Sequence, residues 1–234
     1  SSQLIMAGEQ LRFLSKYFLT KRYSLVHGAE IFAGYLENDL KFVEKVEEDK
    51  LARSLFTFQF AEKAIRKMFP KEAEHILTNF VEMIVFDALT GNNDRHFYNW
   101  GVIKHVENKK NAIFAPVYDS ARGLFWNDSE SKLLKLFEQP KQIDEKIKKY
   151  SEQSRPKIGW EGLEELNHFD LVDKIYSSDS RYREVCAKLI TQDNLEKSLN
   201  LVNVSFSKFY SSNRIELIRK CLTYRFERLR NIVK

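Results

Sequence analysis

Leu51, Leu55, Phe58, Ala61, Ile65 and Met68 recur at three- and four-residue intervals, the spacing of one face of an α-helix, and the run stops before Pro70. A second helical pattern runs from Lys71 to about Leu89, with Ile76, Phe80, Met83, Ile84 and Ala88 on one face and Gly91 placed to end it. Near the N-terminus, Gln3–Gly8 reads as a short strand through Leu4, Ile5 and Met6, and Gln10–Phe18 has helical spacing. After Gly91 the helical period is lost. Asn92–Asn99 is a polar run without periodicity, and Trp100–Val106 and Ala112–Val117 are short apolar segments that predict a hairpin around the polar connection Glu107–Asn111. From Ser129 the pattern is helical again over Glu130–Glu138, Glu161–Tyr176, Arg181–Leu199 and Asn213–Val233, with Pro140, Pro156 and Gly159 marking loops. The predicted fold class is α+β, predominantly α-helical, with a small β-hairpin in the middle. No repeat or long linker divides the chain, so residues 1–234 read as a single unit.

Composition narrows the function classes. In 234 residues, 43% are hydrophobic and 30% charged, which excludes a disordered or low-complexity chain, and the scarcity of glycine (8) and proline (4) argues against a turn-rich β-sandwich. Two cysteines, Cys186 and Cys221, lie in helical patterns and offer neither a disulfide framework nor a CxxC metal site, which points to a reducing compartment. The most apolar stretch, Ile76–Leu89, carries Glu82 and Asp87 and is too short to span a bilayer, and no signal segment opens the chain, so a soluble cytoplasmic protein is expected. The net charge of +5 is too mild to indicate direct nucleic-acid binding. Over Arg214–Lys234 the pattern places Ile215, Ile218, Leu222, Phe226 and Leu229 inward and Arg219, Lys220, Arg225, Arg228 and Arg230 outward, as in a terminal helix docked on the core with a solvated basic face. The Lys-rich stretch Lys141–Lys149 reads in the same way.

The chemistry concentrates in Leu89-Thr-Gly-Asn-Asn-Asp-Arg-His-Phe-Tyr-Asn-Trp-Gly101. Phosphoryl transfer from a metal-bound nucleoside triphosphate needs a carboxylate that orients and deprotonates the attacking hydroxyl, and oxygen ligands that hold the metal against the phosphates. Asp94 and Asn99 have the D-x-x-x-x-N spacing that supplies the first two groups in protein kinases, and Asp119 follows the predicted hairpin where a second metal-binding Asp is required. An Asp and an Asn five positions apart is a common coincidence; the weight lies in the conjunction of loop, hairpin and Asp. His96 reads first as a structural histidine beneath the loop and second as a group that steadies Asp94, and not as a ligand, because magnesium prefers oxygen. Arg95 suits either a phosphate or substrate contact or a pairing with a nearby carboxylate. Asn92 and Asn93 read as turn formers.

The motifs GNNDRHFYNWGV and APVYDS resemble the C-terminal domain of the HipA-like serine/threonine kinases, whose loop reads N-x-D-x-H-x-x-N and whose metal Asp sits in a Y-D motif; phosphatidylinositol kinases have a similar loop. The resemblance is sharp over Val85–Arg122 and architectural elsewhere. It implies a protein-kinase-like C-lobe using ATP and Mg, with Asp94 as catalytic base, Asn99 and Asp119 as metal ligands, and His96 and Arg95 in support. It also implies a protein substrate, autophosphorylation, and an antitoxin or host-protein partner, with a toxin role or that of a secreted effector. Neither G-x-G-x-x-G nor V-A-I-K occurs, so an N-terminal lobe carrying the phosphate loop and the ATP lysine is expected upstream of Ser1, with residues 1–8 as the strand between lobes and Ile5 and Met6 beside adenine. The alternatives are a lipid or small-molecule kinase using the same three residues, and a non-catalytic pseudokinase or binding module.

Overall fold

The computed structural model describes residues 2–37, 39–49, 51–107, 111–163 and 165–234. Strands β1 (Ser2–Ala7) and β2 (Gln10–Ser15) form an antiparallel hairpin in which Leu4 faces Phe13 and Ile5 faces Arg12. The helix expected over Gln10–Phe18 is therefore a strand: Gly8, at φ 62, supplies the left-handed turn that folds the segment back on β1, and pairing overrides the helical spacing. A three-stranded antiparallel sheet has the order β3 (Tyr23–His27), β4 (Gly101–His105), β5 (Ile113–Phe114). The predicted hairpin is β4–β5, and residues 108–110 of its connection lie outside the described residues. Strand β3 was not predicted. It is admitted by Gly101, where a Cβ would lie 2.4 Å from the Val26 carbonyl oxygen.

Helices α1 (Gly28–Tyr35), α2 (Leu40–Glu48), α3 (Ala52–Leu55), α4 (Phe58–Met68) and α5 (Ala73–Thr90) follow β3. The single helix expected over Leu51–Met68 breaks at Phe56 and Thr57. Thr57 is extended, caps α4 by accepting from the Phe60 N–H at 3.2 Å, and forms a parallel bridge with Gly159, whose carbonyl accepts from the Phe58 N–H at 2.9 Å. A side chain at Gly159 would run into the Arg53 carbonyl, so the close approach requires glycine.

The C-terminal half contains α6 (Glu130–Phe137), α7 (Pro140–Gln153), α8 (His168–Ser178), α9 (Ser180–Leu189), α10 (Gln192–Phe206) and α11 (Ser212–Arg230). Pro140 does not mark a loop but opens α7, where its missing N–H costs nothing. Helix α8 begins later than Glu161 because Asn167 caps it, accepting from the Phe169 and Asp170 N–H groups. The helix expected over Arg181–Leu199 is split at Ile190 and Thr191, where the Thr191 hydroxyl caps α10. Helix α5 is the axis of the core: Ile76, Leu77, Phe80, Val81, Met83 and Ile84 are buried, and α4, α8, α9, α11 and β5 pack around it. Arg225, expected on the outer face of α11, is fully buried; it donates to the Ala88 carbonyl at 2.8 Å and lies over the Phe169 ring at 4.8 Å. Among the described residues no helix is long and apolar enough to cross a membrane.

Candidate active site

Helix α5 delivers the polar loop, and its end is held from three sides. Gly91 closes the helix at φ 68, and a Cβ there would lie 2.5 Å from the Tyr150 hydroxyl. That hydroxyl lies 3.0 and 3.1 Å from the Thr90 and Gly91 carbonyl oxygens and accepts from the Leu124 N–H at 2.8 Å. Ser154 Oγ donates to the same Gly91 carbonyl at 2.9 Å, and Arg225 takes the Ala88 carbonyl one turn earlier. The carbonyls that a helix end leaves unpaired are thus met by α7 and α11.

Beyond Gly91 the loop is organised around a buried ion pair. Asp87, on the last turn of α5, receives two bonds from Arg95, Nε to Oδ2 at 2.8 Å and Nη2 to Oδ1 at 3.0 Å, and a third from Asn92 Nδ2 at 2.9 Å. Burial pushes the Asp87 carboxyl group up from its ordinary value, and Arg95 and Asn92 pull it back. Arg95 continues outward: Nη1 donates to the carbonyls of Asn99 (2.7 Å) and Tyr118 (2.5 Å), and Nη2 to Ser120 Oγ (2.6 Å). One guanidinium therefore ties together the loop bearing Asp94 and Asn99 and the segment bearing Asp119. Of its two sequence readings, pairing with a carboxylate is the one observed.

Asn92 fulfils the turn role expected of it, since its Oδ1 accepts from the Asp94 N–H at 3.3 Å. Asn99 Nδ2 donates to the Asp94 carbonyl at 2.9 Å, which leaves the side-chain oxygen of Asn99 as the group available to a cation. His96 sits in the turn: its N–H donates to the Asp94 carbonyl at 2.9 Å and its Nδ1 accepts from the Tyr98 N–H at 3.3 Å. Asp119 is exposed and left-handed at φ 48, a conformation that Asp adopts more readily than most residues. Two buried-facing neighbours were not predicted. The Tyr118 hydroxyl donates to the Tyr98 carbonyl at 3.2 Å and lies 3.0 Å from His27 Nδ1, and burial raises its pKa, so it remains a donor. Phe18 stacks on the Tyr118 ring with centroids 5.9 Å apart, bringing the segment after β2 against the Asp119 strand end. Ile5 and Met6 lie on β1, which rests on α10.

The sequence profile of the HipA-like C-terminal domain matches residues 5–192. The chain belongs to the HipA-like C-terminal domain family. The fold is similar to that of the Helicobacter pylori proinflammatory kinase CtkA, with a TM-score of 0.78 and 16% sequence identity over 100% of this chain and 78% of that one. No curated protein is similar enough in sequence to match. This HipA-like chain is thus kinase-like in family and fold. A carboxylate, as at Asp119, and an amide oxygen, as at Asn99, are donor types that a hard divalent cation accepts, and among the described residues no group of three or more His, Cys, Asp and Glu side chains is placed to hold a metal ion.

Proposed function

We propose that this protein is an ATP-dependent serine/threonine protein kinase. The observation that supports the reading is the reach of Arg95, which holds the Asn99 carbonyl and the Tyr118 carbonyl on one nitrogen and so ties the backbone of the Asp94–Asn99 loop to that beside Asp119. Asn99 and Asp119 would hold Mg, which when bound neutralises charge on the phosphates. Asp94 accepts the proton of the acceptor hydroxyl as that oxygen forms its bond to the γ-phosphorus; the bond from phosphorus to the β,γ-bridging oxygen breaks, and its electrons leave with ADP. Most of the acceleration then comes from positioning, supplied here by Arg95, Asn92 and Tyr150. On the family pattern Ile5 and Met6 are assigned to the adenine end, and Phe18 joins them as an aromatic side chain that reaches the Asp119 segment. A protein substrate, autophosphorylation and an antitoxin or host-protein partner follow from the same family reading.

The test is transfer of label from γ-labelled ATP to protein hydroxyls, with inositol lipids and sugars as competing acceptors. Asp94→Ala and Asp119→Ala are expected to fold normally and to lose roughly three orders of magnitude in rate. Autophosphorylation of Asp119→Ala at the wild-type rate, or label confined to lipid or sugar, would overturn the assignment.

A further inference from the structure

The carboxylate assigned as the base does not stand open. Asp94 Oδ2 lies 3.2 Å from Nε of Arg122, whose side chain is 54% exposed while that of Asp94 is 20% exposed. The Arg122 guanidinium lies 5.8 Å from the centre of the Trp126 ring, itself 56% exposed. Local backbone explains why these groups meet. The Arg122 carbonyl receives the Asn93 N–H at 3.4 Å, and Gly123 passes so close to the end of α5 that a Cβ would lie 3.0 Å from the Thr90 carbonyl oxygen. Leu124 and Phe125 are both left-handed, at φ 52 and 61, and Phe125 is buried among α6, α7 and α11; the chain therefore turns Trp126 outward beside Arg122.

The acidic groups that follow on the same segment are already matched. Asp128 pairs with Lys146 at 2.8 Å and Glu130 with Arg214 at 2.5 Å, and among the described residues the carboxylate paired with Arg122 is that of Asp94. An incoming hydroxyl needs that carboxylate, and Arg122 stands on one of its two oxygens. An acceptor that carries its own acidic side chain offers the guanidinium a replacement partner, with the Trp126 face beneath it. A basic acceptor instead sets a second cation against the first.

We propose that Arg122, backed by Trp126, is a gate that admits acceptor hydroxyls flanked by an acidic side chain. Arg122 acts through Asp94 and is a positioning and specificity-determining residue. The inference rests on the kinase reading for its consequence in catalysis, but the recognition of an acidic peptide can be measured without it.

The experiment uses matched serine peptides flanked by Glu or by Lys, together with versions in which Ala replaces the acceptor Ser. Wild-type protein is expected to favour the Glu peptide by five- to tenfold in kcat/KM; Arg122→Gln brings the ratio near one, and Arg122→Glu inverts it. Binding of the Ala peptides is read from the change in emission of Trp126, with Trp126→Phe as the silent control among the three tryptophans. Tighter binding of the Glu peptide that disappears in Arg122→Gln supports the gate. Equal binding of both peptides to the wild type, or a Glu preference that survives in Arg122→Glu, overturns it. Arg122-dependent binding with no phosphorylation of any peptide overturns the kinase reading and leaves the acidic-ligand assignment standing; no binding and no phosphorylation overturns both.

Discussion

The guanidinium of Arg95 meets the carboxylate of Asp87 through two bonds, at 2.8 and 3.0 Å, with side chains only 2% and 4% exposed. The pair spans the end of α5 and the loop that follows, and Arg95 spends its remaining donors on Asn99, Tyr118 and Ser120. Stability and alignment of the site are therefore linked through one side chain.

Arg95→Met leaves Asp87 buried without its cation, and is expected to lower stability by about 3–5 kcal/mol, read from denaturant midpoints. Adding Asp87→Leu removes the isolated charge and should restore most of that loss. Phosphotransfer should stay low in both variants, because neither holds Tyr118 and Ser120. Recovery of activity in the double variant would show that Arg95 serves stability alone.

Tyr150→Phe removes a hydroxyl that serves the Thr90 and Gly91 carbonyls and the Leu124 N–H. The expected loss is about 1–2 kcal/mol, at the lower part of the range for unsatisfied buried groups because Leu124 keeps a second bond, at 3.1 Å, to the Thr90 carbonyl. Amide hydrogen exchange should quicken at Leu124 more than at the centre of α5; uniform quickening would mean that the hydroxyl does not act locally.

His168 is fully buried, and burial together with the nearby cations Arg225, Arg53 and Arg155 holds its pKa well below the ordinary 6.5. The folded protein keeps the ring neutral while the unfolded chain takes up a proton below that value. Stability is thus complete above about pH 6.5 and falls as the pH drops below it, by up to about 1.4 kcal/mol per pH unit. Urea unfolding between pH 5 and 8 should show this slope in the wild type and lose it in His168→Phe. An unchanged slope in the variant would place the acid sensitivity elsewhere.

Helix α5, its stop at Gly91, the polar loop and the β4–β5 hairpin were legible in the sequence because each is set by local spacing and turn chemistry. What was not legible depends on distant partners. Residues Leu11 and Leu14 fit a helix as well as they fit β2, and pairing across Gly8 decides between them. Thr57 and Thr191 interrupt helical patterns that continue on either side; a hydroxyl cap is visible in sequence only once the break is known. Arg225 looks like a solvent residue on a helical wheel, yet it turns inward to meet Ala88. For Arg95 a signal did exist: Asp87 lies in the apolar stretch Ile76–Leu89, and a carboxylate buried there requires a cation close by. The contact of Arg122 with Asp94 had no such signal, since it depends on the backbone bond that brings the Arg122 carbonyl to the Asn93 N–H.

The bridge between Thr57 and Gly159 also sets the order in which a growing polypeptide can mature. The amide that opens α4 must wait for Gly159 to leave the ribosome before it finds its carbonyl, and by then the whole motif from Asn92 to Asp119 has already emerged. A nascent chain halted short of that glycine displays every residue of the chemistry on an unfinished scaffold, the stage at which chaperones would have the most to protect.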